Sequence, residues 1–329
     1  MQGRYQLMQV LGRGSVGTVW QAEDQLMERM VALKEIAHPA ETGRGRRKAA
    51  EHLMAEVRAV ARLRHPGLVT IYDVLIHKGH TWIAMEYLGE GSSLADEVFR
   101  NGRLPWRQVA ATGAQVAAAV GTAHQAGVLH GCLRPSKVFL ADGLAVVTGY
   151  GITTAFLRAS ARPGTVVGVP GFIAPEILDG QSPGPEADMW SLGVTLYYAA
   201  EGRLPFEGET PKALIEATLA HSLAPAEHAG PLGELLPALL SKDPRQRPDA
   251  AAACQALASH REIGPGTAGS ATPAEPSDQS TPGPRFYSAE GVQVGSGNVQ
   301  YNYFYGTVLR ADSGGAPDTP ERGTASPPE

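Results

Sequence analysis

The chain has 329 residues, of which 43% are hydrophobic, enough for one large or two medium domains. Its net charge of −5 leaves no basic footprint for nucleic acid, so we expect no nucleic-acid partner. Two distant cysteines, Cys132 and Cys254, exclude a disulfide framework and favour a reducing compartment. The opening residues lack the apolar run of a signal peptide, and no stretch reaches membrane-spanning length. We therefore expect a cytoplasmic protein without a membrane partner.

The predicted elements change in kind along the chain. Apolar alternation predicts strands in "YQLMQVL", "VGTVWQAE" and "MVALKEI", then a helix from about Arg47 to Leu63, then strands in "LVTIYDVLI" and "TWIAMEYL". After Leu104, apolar residues recur at three- and four-residue steps. This pattern predicts helices in "WRQVAATGAQVAAAVGTAHQAG", "DMWSLGVTLYYAAEG" and "DAAAACQALASHRE". Strands followed by helices indicate an α+β fold with a small β-rich lobe and a larger helical lobe.

The composition divides the remainder of the chain. Residues 1–262 have the periodicity of a globular domain, whereas residues 263–285 are rich in Gly, Pro, Ser and Thr, which predicts a disordered linker. Residues 286–306 return to aromatic and β-branched side chains. Residues 307–329 are again poor in apolar residues, and we expect a disordered tail.

Several motifs in the first 260 residues follow one another in a characteristic order. "LGRGSVGTV" lies between two predicted strands, "VALK" ends at Lys34, and Glu56 lies on the predicted helix that precedes "HPGLV". "MEYL", "HGCLRPSKVFL", "GFIAPE", "DMWSLGV" and "DPRQRP" follow. Together these motifs resemble the Hanks-type Ser/Thr protein kinases of bacteria. The resemblance implies the bilobal protein kinase fold.

The resemblance also implies a nucleotide site in the first lobe. Glycines let the backbone approach phosphates, Lys34 would pair with the phosphates and with Glu56, and apolar residues would cover the adenine. The residues implied are Leu11, Gly12, Gly14, Gly17, Val19, Ala32, Lys34, Glu56, Glu86 and Leu88. A second interpretation stays open, in which Lys34 and Glu56 form only an ion pair that stiffens the lobe.

The residues that perform the chemistry in this family are replaced. Cys132 stands where the catalytic loop has its proton-accepting Asp, and Gly131 replaces the adjacent Arg. Lys137 replaces the Asn that holds one Mg²⁺, and Gly149 replaces the Asp that holds Mg²⁺ from the following turn. The loss of a general base alone lowers the rate by roughly 10²–10⁴-fold. No intact catalytic residue or metal ligand is therefore predicted.

The supporting frame of the loop is retained. His130 and Tyr150 can stack, Asp188 can anchor the loop backbone, and Glu176 can pair with Arg247. This combination predicts a catalytically impaired protein, a pseudokinase that acts as a scaffold or sensor. The alternative is a Ser/Thr protein kinase with residual ATP-dependent phosphotransfer from a degenerate site.

Lys137 suggests how a nucleotide could still bind. A fixed cation near the metal position could contact phosphates directly, which predicts that any ATP binding is independent of Mg²⁺. A solvent-facing lysine is the simpler interpretation. Cys132 likewise leaves two interpretations open, a redox-sensitive thiol or an inert substitute.

The segment "GVQVGSGNVQYNYF" within residues 286–306 alternates apolar and polar side chains and carries almost no charge, a composition typical of cross-β assembly. It resembles the bacterial amyloid signalling motifs and the RIP homotypic interaction motif. The candidate assembly residues are Val292, Gln293, Val294, Gly295, Asn298, Gln300 and Asn302. The resemblance implies self-assembly through the tail and a partner of the NLR type with a matching motif. An edge strand docked on the kinase-like domain and an accidental adhesive tail are the alternatives.

Overall fold

The computed structural model describes residues 3–14, 17–36, 44–89, 91–150, 165–166, 168–260 and 308–309. The strands of the N-terminal lobe form an antiparallel sheet in the order β1-β2-β3-β5-β4. They are β1 (Tyr5–Gly14), β2 (Gly17–Asp24), β3 (Arg29–Ile36), β4 (Ile71–His77) and β5 (His80–Glu86). These five strands correspond to the five predicted from apolar alternation.

The two faces of this sheet pack differently. Val31, Leu33 and Trp82 belong to a small apolar cluster on one face. Ile36 and Ile83 belong instead to the large core that continues into the C-terminal lobe. Because successive side chains of a strand point to opposite faces, Lys34 shares its face with Ile36. The alternation in "VALKEI" therefore turns Lys34 towards the second lobe.

The predicted first helix is present as α1 (Arg44–Ala61), three residues earlier at its start than the pattern indicated. Leu53, Val57 and Val60 are buried on one side of the helix and join the large core. Their spacing of four and three residues places them on one helical face. Glu56 lies outside this buried stripe, and its side chain is exposed.

The C-terminal lobe is helical, as the sequence predicted. Its helices are α2 (Leu94–Asn101), α3 (Trp106–Gln125), α4 (Pro175–Leu178), α5 (Pro185–Glu201), α6 (Pro211–Ala220), α7 (Leu232–Leu239) and α8 (Ala250–Ser259). Helix α5 is buried along nearly its whole length, from Ala187 to Ala200. A helix that is apolar on all sides takes the centre of its lobe. Asp188, near the start of α5, is therefore a buried carboxylate.

A small sheet that the sequence analysis did not predict holds the candidate site. It consists of β6 (Ser92–Ser93), β7 (Val138–Ala141) and β8 (Leu144–Val147) in that order. The "DG" pair between β7 and β8 has φ of 50° at Asp142 and 76° at Gly143, as a tight hairpin turn requires. The hairpin returns the chain, so that the backbone N–H of Thr148 donates to the Lys137 carbonyl at 2.8 Å.

Outside these sheets, β9 (Thr165–Val166) pairs antiparallel with β10 (Val308–Leu309). The sequence analysis placed Val308 and Leu309 in a disordered tail, and the structure places this aliphatic pair in a two-residue strand. The predicted linker, residues 263–285, and the predicted assembly motif, residues 286–306, lie outside the described residues. The α+β, two-lobed expectation for the first 260 residues is confirmed.

Candidate functional site

The loop that begins at His130 is anchored by a buried carboxylate from helix α5. Asp188, only 1% exposed, accepts hydrogen bonds from the backbone N–H of His130 at 2.8 Å and of Gly131 at 2.7 Å. Nε2 of His124 lies 2.9 Å from the same side chain. Since buried polar groups cost stability when left unpaired, this network holds the loop in one conformation. The expected anchoring role of Asp188 is confirmed.

The imidazole of His130 packs against the ring of Tyr150. Their ring centroids lie 4.6 Å apart with an interplanar angle of 57°. Burial lowers the pKa of His130 to about 4, so the imidazole is neutral near pH 7. Burial likewise raises the pKa of the Tyr150 phenol well above its ordinary value. The pair forms the internal stack that the sequence predicted and connects the loop to the turn after β8.

A second element of the frame is the ion pair between Glu176 and Arg247. The two terminal nitrogens of the Arg247 guanidinium, Nη1 and Nη2, each donate to one carboxylate oxygen of Glu176 at 2.7 Å. Arg247 also donates to the carbonyls of Ser241 and Glu186. Such a fully hydrogen-bonded bidentate pair is the favourable form of a buried ion pair. This predicted pairing is confirmed.

The position of the general base is held by a thiol. Cys132 is partly buried, and Nη1 of Arg134 donates to its Sγ at 2.9 Å. Arg134 is itself buried, at 7% exposure. The sequence analysis did not single out Arg134, although its position two residues after Cys132 in a loop of replaced residues was an available signal. The loop therefore brings a cation against the thiol.

Lys137 and Gly149, two replacements considered separately in the sequence, lie against each other. A Cβ atom added at Gly149 would stand 3.4 Å from both Cδ and Nζ of Lys137. Gly149 also has φ of 82°, a left-handed conformation that glycine adopts without strain. The Lys137 side chain thus lies in van der Waals contact with the position that a Cβ atom of residue 149 would take. Lys137 is partly buried, and burial is the main cause that lowers its pKa well below the ordinary value.

These residues do not fit a magnesium ion. Mg²⁺ requires oxygen ligands in near-octahedral geometry. The three positions that the family uses for the base and the metal present a thiol (Cys132), an amine (Lys137) and no side chain at all (Gly149). Within the residues that the structure describes, no three His, Cys, Asp or Glu side chains are grouped as metal ligands.

The predicted nucleotide residues of the first lobe share a common face of the sheet. Gly12 pairs with Val19, Val19 with Lys34, and Lys34 with Ile83, which places them in one row across four strands. Ala32 lies two residues before Lys34 on the same face and is buried.

The remaining predicted positions frame this face. Gly14 pairs with Gly17 where β1 and β2 meet. Leu11 lies within β1, next to a register shift, and is partly buried. At the other edge, the Glu86 carboxylate accepts from the backbone N–H of Thr70 at 3.2 Å, and the partly buried Leu88 follows β5.

The predicted pairing of Lys34 with Glu56 does not occur in this structure. Lys34 is 7% exposed, Glu56 is exposed, and among the described residues no ion pair joins Lys34 to a carboxylate. The reason is the orientation of α1, whose core-facing stripe leaves Glu56 outside.

The charged neighbours of Lys34 come from the catalytic loop instead. Burial, followed by the positive charge of Arg134, lowers the pKa of Lys34 to about 8, and Cys132 acts in the opposite direction. Lys137 experiences both Arg134 and Lys34 as repulsive neighbours. Arg134, whose Nη1 contacts the Cys132 sulfur, is therefore an electrostatic neighbour of both Lys34 and Lys137.

None of the helices in the described ranges has both the length and the apolar character needed to cross a membrane.

A family model of the protein kinase domain matches residues 5–258. The chain is 32% identical over 218 residues to the serine/threonine-protein kinase PknK of Mycobacterium tuberculosis, a match that covers 65% of this chain and 19% of that protein. It is 30% identical over 302 residues to the serine/threonine-protein kinase pkn2 of Myxococcus xanthus, covering 86% of this chain and 36% of that protein.

The human NUAK family SNF1-like kinase 1 is 31% identical over 217 residues, 65% of this chain and 32% of its own length. The chain thus spans about a third or less of the length of these relatives. The family match itself extends over most of the chain, from the first strand to the last helix of the C-terminal lobe. The motif order, the two lobes and this match agree, and the chain belongs to the protein kinase domain family.

Proposed function

We propose that this protein is a pseudokinase, a kinase-fold signalling protein that acts as a scaffold or sensor and not through phosphotransfer. The observation that carries the proposal is the packing of Lys137 across Gly149, with Cys132 at the position of the base. Removal of a general base costs about 3–5 kcal/mol of transition-state stabilisation. The missing metal ligands remove further charge stabilisation. The intact anchors around Asp188 and Arg247 argue against general decay of the fold.

The proposal is tested by a phosphotransfer assay on the full chain with γ-labelled ATP, Mg²⁺ or Mn²⁺ and a generic protein substrate. We expect no incorporation above that of a heat-denatured sample. Cys132→Ala is the matched variant, because it removes the only ionisable side chain at the position of the base. Incorporation that depends on Lys34 and is abolished by Lys34→Met would refute the proposal.

The second candidate is a Ser/Thr protein kinase with residual activity. It is supported by the similarity to the serine/threonine-protein kinases PknK and pkn2 and by the retained row of Gly12, Val19 and Lys34 in the sheet. Chemistry at this site would have to proceed without a carboxylate at position 132 or 149. The phosphotransfer assay distinguishes the two candidates directly.

We further propose that the domain binds ATP without Mg²⁺. Lys34 is positioned on the sheet face used by nucleotide-binding residues, and Lys137 lies where a metal ligand would stand. Thermal-shift titration of the full chain with ATP, in EDTA and in Mg²⁺, tests this. We expect stabilisation by ATP to persist in EDTA, whereas a shift that disappears on chelation contradicts the proposal.

For the C-terminal region we propose homotypic cross-β assembly through residues 291–304, with self-association or an NLR-type partner that carries a matching motif. The alternation of Val292, Gln293 and Val294 and the near absence of charge support this. A location in the cytoplasm is supported by Cys132 and Cys254, neither of which forms a disulfide bond among the described residues. A synthetic peptide of residues 291–304 should form thioflavin-positive fibres, and Gln293→Asp should prevent them. A native peptide that stays monomeric at high concentration contradicts the assembly role.

A further inference from the structure

In the part of the C-terminal region that the structure describes, the chain returns to the kinase domain as strand β10. Val308 pairs with Val166 and Leu309 pairs with Thr165, in antiparallel register with β9. Antiparallel pairing joins two backbones through their N–H and C=O groups and does not require a particular side-chain sequence. The edge of a strand is a template for such pairing. The contact therefore identifies β9 as an edge that accepts an extended segment.

Strand β9 leads directly into a stretch that is fixed to the C-terminal lobe. Val169, three residues after Val166, is 8% exposed, and Ile173 is 7% exposed. The hydroxyl of Ser191 on helix α5 donates to the Phe172 carbonyl at 2.9 Å. Because α5 is buried along nearly its whole length, this contact ties the stretch to the centre of the lobe. A segment paired with β9 is therefore held against the kinase domain.

Residues 261–307 lie between helix α8 and β10 and are long enough for both paired strands to come from one chain. A fully extended chain of this length reaches on the order of 150 Å. A compact domain of about 260 residues has a radius of gyration of roughly 18 Å. A tethered segment also meets its site at an effective concentration near the millimolar range, above the micromolar concentration of a purified protein. We therefore expect the pairing to form within one chain and not between two.

We propose that β9 and β10 form a clasp that holds the predicted assembly motif, residues 286–306, against the kinase domain. Only Thr307 separates the motif from β10 in the sequence. A closed clasp therefore fixes the C-terminal end of the motif close to the body of the domain. The effect of the clasp on assembly rests on the proposed cross-β function, whereas the clasp itself rests on the pairing of β9 with β10.

A closed clasp opposes cross-β assembly for a steric reason. Stacked strands repeat about every 4.7–4.8 Å along a fibre. The kinase domain is far wider than this, since its radius of gyration is roughly 18 Å. Domains held one residue away from each stacked strand would overlap. When the clasp is open, residues 263–285 separate the domain from the motif, so that neighbouring domains can lie apart and assembly can proceed.

The clasp can open readily, because a pairing of two residues in each strand has little stability of its own. An extended segment of another protein that pairs with β9 or with β10 would compete with it. The clasp therefore acts as an intramolecular restraint on assembly, and a partner strand at β9 or β10 releases it.

Disulfide trapping in the full chain tests the clasp. Opposed Cα atoms of an antiparallel pair lie about 4.5–5.5 Å apart, a separation that a disulfide can bridge. Val166→Cys combined with Val308→Cys should form a disulfide within one chain in oxidised glutathione. Val166→Cys combined with Ala316→Cys is the matched control, because Ala316 lies on the same tether outside β10. We expect the first variant to cross-link at least about tenfold faster than the control.

Three measurements make the result unambiguous. Peptide mapping separates the designed disulfide from bonds to Cys132 or Cys254. Non-reducing electrophoresis separates cross-links within one chain from those between chains, and thermal denaturation checks that each variant is folded. Equal cross-linking rates in the two variants, or cross-links that form chiefly between chains, would overturn the inference.

The variant with Val166→Cys and Val308→Cys also tests the effect on assembly. Its oxidised form should produce thioflavin-positive fibres at least about tenfold more slowly than the same protein after reduction, because a locked clasp removes the open population. Equal rates for the two forms, while the peptide of residues 291–304 forms fibres, would overturn the clasp as a restraint. A peptide that stays monomeric would instead overturn the proposed assembly function, and the cross-linking rates would still decide whether β9 and β10 pair.

Discussion

Replacing Lys34 by Met tests whether the amine at the centre of the first lobe is an uncompensated buried charge. Lys34 is 7% exposed, the positive charge of Arg134 lowers its pKa, and among the described residues no ion pair joins it to a carboxylate. The Met side chain is similar in length to that of Lys and is apolar, so the substitution removes chiefly the charge. A stabilising Lys34–Glu56 ion pair, the alternative left open by the sequence, predicts the opposite effect on stability.

The expected magnitude follows from the pKa of Lys34. Burial, followed by the charge of Arg134, lowers it from the ordinary 10.5 to about 8 in the folded protein. Each pKa unit corresponds to about 1.4 kcal/mol, so the charged amine costs the fold about 3 kcal/mol. Between about pH 8 and 10.5 the unfolded chain binds more protons than the folded one. The free energy of unfolding of the wild type should therefore rise with pH in this window, while the full cost is present below pH 8.

Urea denaturation of the two proteins at pH 7 and above pH 10 is the appropriate assay. We expect Lys34→Met to be more stable by up to about 3 kcal/mol at pH 7, with a difference that shrinks as the pH approaches 10.5. Glu56→Gln should leave stability unchanged at both pH values, because Glu56 is exposed. If Lys34→Met and Glu56→Gln both lowered stability by a similar amount, the reasoning from an uncompensated charge would be refuted.

Three further predictions concern the frame and the replaced site. Asp188→Ala should lower the free energy of unfolding by roughly 2–5 kcal/mol, because the backbone amides of His130 and Gly131 lose their acceptor. Equilibrium denaturation measures this change, and an unchanged denaturation midpoint would contradict the anchoring role. Arg247→Met should lower the free energy of unfolding by about 3–5 kcal/mol, because it leaves the buried Glu176 carboxylate unpaired. The double variant with Glu176→Leu should recover most of this loss. A double variant no more stable than Arg247→Met would argue against this account. Gly149→Asp should place a carboxylate against Lys137 and weaken ATP binding in EDTA by about tenfold or more, which calorimetry can detect. Unchanged affinity would place the phosphates elsewhere.

Much of the fold could be predicted because local pattern and tertiary packing agree. The period of two in "VALKEI" and the period near 3.6 in the long stretch after Trp106 each match the element that forms. The order of motifs indicated the two lobes before any contact was known. The small sheet around β7 was missed because strands of two to four residues carry too few positions for a period to be recognised.

The replacement of the family's base and metal ligands could likewise be predicted from the sequence. Cys132, Lys137 and Gly149 offer no side-chain oxygen to Mg²⁺ whatever their arrangement, because coordination chemistry depends first on the kind of donor atom. The frame residues were also identified in this way, and their contacts are confirmed.

The sequence by itself thus determined the main strands and helices, the family and the replacements at positions 132, 137 and 149. Only the tertiary structure decided that Lys137 lies against Gly149, that Arg134 contacts the Cys132 sulfur, and that Glu56 is exposed and forms no ion pair with Lys34. The physical reason is that periodicity indicates which helical face is buried, whereas the rotation and docking of a helix depend on side chains far away in the chain. The docking of a helix therefore also decides which charged side chains lie next to each other in the site.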